Sequence, residues 1–184
     1  MEPLDQTLAL WVFGSINLLI EVRAYLLKDR QSILINTIVV NFGWGLYALL
    51  FGLQWLVVQN LINAVRLVIL RYTNAWWVIL SLAFAAGGSV FLIASVIMSP
   101  MINAVSVLAS MASFMATIAF GCSEPYMIRR VLLAAVILWI THHWLTQSLP
   151  QMVAALMVLV FVGRKVITER SMRSKGACQG CQSG

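Results

Sequence analysis

The sequence predicts an all-α membrane protein with seven transmembrane helices, its N-terminus outside the cell and its C-terminus in the cytoplasm. The 184 residues are 61% hydrophobic and only 10% charged, whereas about 25% of the residues of a soluble domain are charged. Seven apolar runs are each close to the roughly 20 residues that cross a bilayer as a helix. Basic residues occur at alternate connections between these runs, in agreement with the positive-inside rule.

The connections between the runs are very short, so successive helices are expected to be antiparallel neighbours. All twelve basic residues lie at the first, third and fifth connections or at the C-terminus. The other connections, around Gly52, Ser99 and Ser148, carry no charge, and the N-terminal segment carries only Glu2 and Asp5. The runs cover residues 7–26, 33–51, 54–70, 75–97, 101–120, 130–146 and 149–168.

The net charge of +6 is therefore explained by topology, together with some attraction to anionic lipid at the cytoplasmic face. Nucleic-acid binding would require an exposed basic patch interleaved with aromatic residues, and the basic residues already have another explanation. The lipid bilayer is the partner that the composition indicates, and no nucleic acid is expected.

The third run is the most unusual, because it carries polar side chains at membrane depth. Gln59, Asn63 and Arg66 stand at i, i+4 and i+7 and form one helical face, with Asn60 at its edge. A buried amide without a partner costs a few kcal/mol in an apolar medium, so this face is expected to look towards protein or a wet cavity. Arg66 is interpreted mainly as a snorkelling residue near the cytoplasmic end. Asn60 and Asn63 lie too deep in the membrane to snorkel. They are equally expected to form hydrogen bonds between helices or to contact a solute.

The first run adds acidic and amide candidates. Asn17 and Glu21 share a helical face that could meet the polar face of the third run. Glu21 is expected either close to Arg66 or in a salt bridge with Arg23 or Lys28 at the lipid headgroups.

Aromatic and histidine residues on the second and sixth runs complete the candidates. Trp44, which follows Asn41 and is flanked by glycines, could stack on a flat solute or simply pack between helices. Trp144 is a second candidate for a stacking wall. His142 could respond to protons near neutral pH or be an ordinary interfacial residue. Because His142 and His143 point about 100° apart on a helix, they cannot bind one metal in the usual i, i+4 way.

Small hydroxyl residues and cysteines give weaker signals. The fifth run carries a stripe of hydroxyls that predicts close helix packing, with a hydroxyl-lined permeation path as the alternative. The cysteines are all predicted on the reduced, cytoplasmic side, and a single CxxC pair is a weak indication of metal or redox chemistry. The stripe is Ser106, Ser110, Ser113 and Thr117, and the cysteines are Cys122, Cys178 and Cys181. No metal or cofactor is predicted.

An internal repeat is indicated by matching run lengths and matching basic connections in the two halves of the chain. Aligning Arg30 with Arg130 places Trp44 opposite Trp144. Parallel repeats about an axis along the membrane normal are a known transporter plan, with the binding site between the repeats. The predicted division is a first three-helix bundle, 1–71, a connector helix, 72–98, a second three-helix bundle, 99–170, and a disordered cytoplasmic tail, 171–184.

Three segments carry a family resemblance. LINAVRLVILRYTNAWWV, NFGWGLYALLFG and ILWITHHWL resemble the YgjV-like family of bacterial inner-membrane proteins, and the likeness extends over nearly the whole chain. It implies a multi-pass protein of the bacterial inner membrane, and it indicates location and architecture rather than an activity.

The three-plus-one-plus-three plan in turn looks like the SWEET and PQ-loop transporters, from which the chain departs in two ways. Its prolines in the second half lie at helix ends rather than within helices. The positions opposite Asn60 and Asn63 in the repeat are Val158 and Phe161, so a symmetric sugar site is not expected.

These features together predict a transporter or facilitator that moves a small polar solute between two helix bundles by alternating access. The alternative is a non-transporting structural or accessory protein whose polar residues only stabilise helix packing. An enzyme is not expected, because no GxSxG, HExxH or paired-carboxylate pattern occurs, and a homo-oligomer stays open. The candidate binding residues are Asn60, Asn63, Trp44, Asn41, Asn17, Glu21, Arg66, His142 and Trp144.

Overall fold

A computed structural model describes the backbone of residues 3–50, 52, 54–97, 103–145 and 149–180. Side chains are described over 12–92, 105–145 and 149–173, apart from residues 51, 53, 55 and 150. Within these ranges the chain forms seven helices and no strand, which confirms the all-α prediction. The helices are α1 (Pro3–Leu26), α2 (Arg30–Leu50), α3 (Gln54–Tyr72), α4 (Trp76–Ile97), α5 (Asn103–Gly121), α6 (Pro125–Leu145) and α7 (Leu149–Gly180).

Local chemistry accounts for the connection between α1 and α2 and for the one between α2 and α3. The carboxylate of Asp29 accepts a hydrogen bond from the backbone N–H of Ser32 at 2.7 Å and caps α2. This bond holds the pKa of Asp29 below its usual value. Gly52 follows α2 with a φ of 70°, a left-handed conformation that glycine adopts without a steric penalty.

Within the part of the chain that the structure describes, three helical segments are long and apolar enough to cross a membrane: Arg30–Leu50, Pro125–Leu145 and Gln151–Arg173. Large apolar side chains such as Leu19, Phe42 and Leu92 are more than half exposed on the outer surfaces of the helices. Such a surface would promote aggregation in water and suits a lipid environment.

Six of the helices form a closed ring. α1, α2 and α3 pack in sequence, as do α5, α6 and α7, and the ring closes where α1 meets α7 and α3 meets α5. α4 packs against α5 and α3. The hydroxyl of Ser110 donates to the carbonyl of Gly87 at 2.7 Å, so this part of the hydroxyl stripe serves close packing between α4 and α5, as the sequence predicted.

Arg30, at the start of α2, joins the ends of two other helices. Its side chain donates to the carbonyl of Leu70 at 2.7 Å, of Cys122 at 3.0 Å and of Phe120 at 3.3 Å. Carbonyls at the C-terminal end of a helix have no partner within the helix and carry negative partial charge. A cation therefore stabilises the meeting of α2, α3 and α5.

Arg129, at the start of α6, makes the corresponding contacts on the other side of the ring. Its guanidinium donates to the carbonyls of Tyr25, at 2.8 Å, and Leu27, at the end of α1. It also binds both carboxylate oxygens of Glu169, on α7, at 2.9 Å. The Arg30 and Arg129 contacts are called the arginine clasps below.

The two arginine clasps are reciprocal. Arg30 and Arg129 are 99 positions apart, and their accepting residues, Phe120 and Tyr25, are 95 apart. The Tyr25 and Phe120 rings stack with their centroids 6.2 Å apart. The equivalent of Arg30 is therefore Arg129 rather than Arg130, which makes His143, and not Trp144, the counterpart of Trp44.

The C-terminal segment corrects one prediction. The sequence predicted disorder beyond residue 170, but α7 continues to Gly180. Arg173 lies over the ring of Tyr126, 4.5 Å from its centroid, and forms an ion pair with Glu124 at 3.3 Å. These contacts with the start of α6 hold the helix beyond its apolar run. Residues 181–184 and the side chains from 174 onwards lie outside the described part.

Candidate functional site

A cavity of about 150 Å³ lies inside the ring of six helices. Along α3 its lining residues extend from Leu56 to Arg66, a distance of about 15 Å at 1.5 Å per residue. Gln151 and His143 line the end near Leu56, whereas Tyr25 and Phe120 line the end near Arg66. None of the lining residues that the structure describes comes from α4.

The cavity has one polar wall and one largely apolar wall. α1, α2 and α3 supply the charged side chains and most of the amides, namely Glu21, Asn41, Gln59, Asn60, Asn63 and Arg66. The lining that α5 and α7 supply is mainly apolar, with Ala116, Ala154, Ala155 and Val158 among its residues and Gln151 as its amide. Of the two residues that the sequence alignment placed opposite Asn60 and Asn63, Val158 lines the cavity and Phe161 is not among its lining residues.

Glu21 is fixed by two aromatic residues that line the cavity with it. The indole N–H of Trp44 donates to its Oε2 at 2.8 Å, and the hydroxyl of Tyr25 donates to its Oε1 at 3.4 Å. Among the described side chains no ion pair joins Glu21 to Arg66, Arg23 or Lys28. The salt bridge with Arg23 or Lys28 is therefore wrong, whereas Glu21 and Arg66 line the same cavity without forming an ion pair.

Arg66 points into the protein and does not snorkel. It is only 5% exposed, and its Nη1 donates to the Ser113 carbonyl at 2.8 Å, the Ser113 hydroxyl at 3.0 Å and the Thr117 hydroxyl at 2.6 Å. Three acceptors on α5 thus give the guanidinium in the interior the hydrogen-bond partners that it would find at the headgroups if it snorkelled. The interpretation of Arg66 as mainly a topology marker is corrected accordingly, and two members of the hydroxyl stripe gain a second role.

Two of the cavity amides bond to their own helices. Asn60 Nδ2 donates to the carbonyl of Leu56 at 2.7 Å, and Asn41 Nδ2 donates to that of Thr37 at 2.8 Å. The structure brings both residues to the cavity, as the sequence predicted.

Three buried polar atoms of the α3 face have no hydrogen-bond partner among the described residues: Gln59 Oε1, Asn63 Oδ1 and Arg66 Nε. Each such group costs about 1–3 kcal/mol when it stays unpaired. A polar guest in the cavity would relieve this cost, so these atoms are the strongest sign of a binding site.

Asn17 is a packing residue rather than a lining one. Its Nδ2 donates to the carbonyl of Val40 at 3.3 Å, and a Cβ built on Gly43 would meet its Oδ1 at 2.1 Å. The absence of a side chain at Gly43 thus gives Asn17 its space, and the amide holds α1 against α2.

On α6 the site residues are not those that the sequence selected. Trp144 is 69% exposed and does not line the cavity, which contradicts its assignment as a stacking wall. His142 contacts the carbonyl of Val105 on α5 through Nδ1 at 3.2 Å. Trp139 and His143 line the cavity instead, and their rings stack with centroids 5.4 Å apart.

The sequence offered a signal for this pair, because Trp139 and His143 stand at i and i+4 and share a helical face. Gln59 and Tyr25 were likewise not selected as site residues. Gln59 belongs to the same α3 face as Asn63, whereas Tyr25 lies among residues that mark the helix end.

Metal ligands and cysteines add nothing to this cavity. Within the described ranges no group of three His, Cys, Asp or Glu side chains could hold a metal ion. Cys122 follows α5, and partial burial raises the pKa of its thiol. The side chains of Cys178 and Cys181 lie outside the described ones.

Comparison with known proteins gives one match. Residues 8–173 match the model of the Imp-YgjV family, which is described as a bacterial inner membrane protein. No curated protein and no solved structure matches the chain.

Proposed function

This chain belongs to the Imp-YgjV family of bacterial inner membrane proteins, and we propose that it carries a small polar solute across that membrane. In the proposed topology all seven helices cross the bilayer, with the N-terminus outside and the C-terminus in the cytoplasm. The distribution of basic residues supports this orientation. Green fluorescent protein fused to the C-terminus would then fluoresce, and alkaline phosphatase at the same position would be inactive.

The observation that carries the proposal is a cavity within the ring whose wall holds buried polar atoms without partners. Buried polar groups in proteins are nearly always hydrogen-bonded. A bundle whose polar residues served only packing would be expected to pair Gln59 and Asn63 across helices, as it pairs Asn17 with Val40. A wall that leaves acceptors unpaired favours a solute over the alternative of a purely structural or accessory protein.

The proposed transport mechanism is alternating access between two bundles, α1–α3 and α5–α7, with α4 as the connector. The reciprocal arginine clasps support this division, since each one crosses from one bundle to the other. The clasps and the Tyr25–Phe120 stack close the predicted cytoplasmic end of the cavity. Opening towards the cytoplasm would require these contacts to separate, and their release and return would form the transport cycle.

The experiment is uptake by liposomes that contain the purified protein, with radiolabelled L-alanine, ethanolamine, L-lactate and glycerol as probes. We expect at least one probe to enter faster than into protein-free liposomes, and Asn60→Leu with Asn63→Leu to reduce that uptake at least tenfold. Asn36→Leu is the control, because Asn36 also bonds to its own helix, at Ser32, but does not line the cavity. Wild-type uptake by the Asn60/Asn63 variant would refute the site, and absence of uptake of every probe would favour the structural alternative.

A further inference from the structure

We propose that the cavity binds a small zwitterion, a molecule that carries an ammonium and a carboxylate group, of the size of alanine. This inference deepens the proposed function and rests on it for the role of the cavity. It follows from the charges, the unpaired atoms and the volume of the site.

The cavity is lined by one acidic and one basic side chain, whose charges sum to zero although the two do not form an ion pair. Glu21 and Arg66 are the only Asp, Glu, Lys or Arg residues among its described lining, and no ion pair joins them. A cation or an anion in this site would leave one charge uncompensated at low dielectric, which is costly. A zwitterion brings an ammonium group for Glu21 and a carboxylate for Arg66, and the occupied site stays neutral.

Arg66 presents one edge of its guanidinium for a carboxylate. Its Nη1 is fully engaged with α5, whereas Nε is buried without a partner and Nη2 donates to none of the described residues. Nε and Nη2 lie on the same edge of the planar group, and a carboxylate accepts two parallel hydrogen bonds from such an edge. The α5 hydroxyls therefore orient the arginine and leave this edge to a guest.

Other residues that line the cavity offer acceptors for an ammonium group, which has three donors. Gln59 Oε1 and Asn63 Oδ1 are unpaired oxygens on the α3 face that also carries Arg66. Among the described residues, Trp44 and Tyr25 alone donate to the Glu21 carboxylate, which has further lone pairs available.

The volume limits the rest of the molecule. An apolar cavity of about 150 Å³ accommodates benzene, which has about six non-hydrogen atoms, and the present cavity has the same volume. The wall opposite the charges is formed by small apolar residues, including Ala116, Ala154 and Val158. It suits a methyl-sized side chain, and the polar side chains of His143 and Gln151 lie at the end of the cavity near Leu56.

The test is thermal unfolding of the purified full-length protein in detergent with matched probes. We expect glycine, β-alanine, L-alanine or L-serine to raise the unfolding midpoint by about 3–6 °C at ten times its dissociation constant. L-lactate, which lacks the ammonium, and L-alaninol, which lacks the carboxylate, should shift it by less than about 1 °C. The inference is overturned if none of the four zwitterions shifts the midpoint, as expected for a cavity that holds only water, or if lactate or alaninol acts equally.

Variants test the two ends of the guest separately. Arg66→Lys keeps the charge and removes the Nε–Nη2 edge, so it should abolish the shift, whereas Arg71→Lys on the exposed end of the same helix should retain it. Glu21→Gln should also abolish the shift and keeps the test decisive if Arg66→Lys does not fold. A full shift in both site variants would contradict the assignment.

Uptake by liposomes separates the two proposals. Transport of lactate, alaninol or glycerol without transport of any zwitterion would overturn the substrate class and leave the transport proposal standing. Zwitterions that bind but are not carried would support the class and overturn transport.

Discussion

Arg66 is a buried cation of the cavity whose Nη1 donates to acceptors on α5, whereas its Nε has no partner among the described residues. Ser113 and Thr117 hold its Nη1 through three acceptors. These bonds stabilise the charge away from water and fix its direction at the same time. Thr117 is the closer of the two hydroxyls, at 2.6 Å, and is therefore the more informative one to remove.

Thr117→Val should lower the free energy of unfolding by about 1–3 kcal/mol, since it removes an acceptor from a charged hydrogen bond in the interior. Unfolding in mixed detergent, followed by circular dichroism, measures the change. Thr141→Val is the control: Thr141 is exposed and bonds only to its own helix, at Ile137. Equal losses for the two variants would mean that the Arg66 bond contributes little.

Gly43→Ala should destabilise the protein by about 1–3 kcal/mol through overpacking, because the new Cβ would overlap Asn17 Oδ1. Gly88→Ala is the matched control, since a Cβ there meets no atom within 4 Å. That change should be neutral or stabilising by up to about 1 kcal/mol from helix propensity. The same unfolding measurement compares them, and a neutral Gly43→Ala would show that Asn17 can move aside.

At the scale of the helices, the arginine clasps explain how short connections produce a closed ring. Each clasp lies where one helix begins and others end, so that one side chain satisfies several terminal carbonyls. Arg129 additionally forms an ion pair with Glu169, which ties α6 to the late part of α7. This arrangement also explains the exact positions of Arg30 and Arg129, whereas the positive-inside rule predicts only on which side of the membrane basic residues lie.

Glu169→Gln should lower the free energy of unfolding by about 1.5–3 kcal/mol, since Arg129 is buried and loses its charged acceptor. Glu124→Gln should change it by less than about 1 kcal/mol, because the Glu124–Arg173 pair is exposed on both sides. Chemical unfolding of both variants gives the comparison. If the exposed pair proved as important as the buried one, the clasp would not be a major source of stability.

Across the whole molecule, the length and composition of the apolar runs predicted the helices correctly. The side chains that face the cavity depend on the rotation of each helix about its axis, and these were predicted less well. Hydrophobic runs predicted helices because lipid leaves the backbone few alternatives, and amide spacing predicted that Asn60 and Asn63 face inward. Trp144 was chosen in place of Trp139 because the alignment of the two halves placed it opposite Trp44, and a shift of one residue turns a helical side chain by about 100°. Arg66 was assigned to the headgroups because depth alone does not reveal acceptors on another helix.

Joining the two bundles at the Tyr25–Phe120 end of the cavity should stop transport if they move apart there in the cycle. Tyr25→Cys with Phe120→Cys, in a background where Cys122, Cys178 and Cys181 are serines, can be linked by a cleavable bifunctional thiol reagent. Uptake of a transported probe should fall at least tenfold on linking and return after reduction. The unlinked double variant is the control, and undiminished uptake after complete linking would argue against opening at this end.

The polar and apolar walls of the cavity separate two properties, namely the recognition of functional groups and the limit on the size of a solute. In the proposed site, the polar groups around Glu21 and Arg66 would distinguish one class of solute from another, whereas Ala116, Ala154 and Val158 would limit the size of the solute. Substitutions can therefore change the chemical selectivity of such a site and the size of solute that it accepts independently of each other. Enlarging the side chains in the second half would exclude bulkier guests without altering which functional groups are recognised.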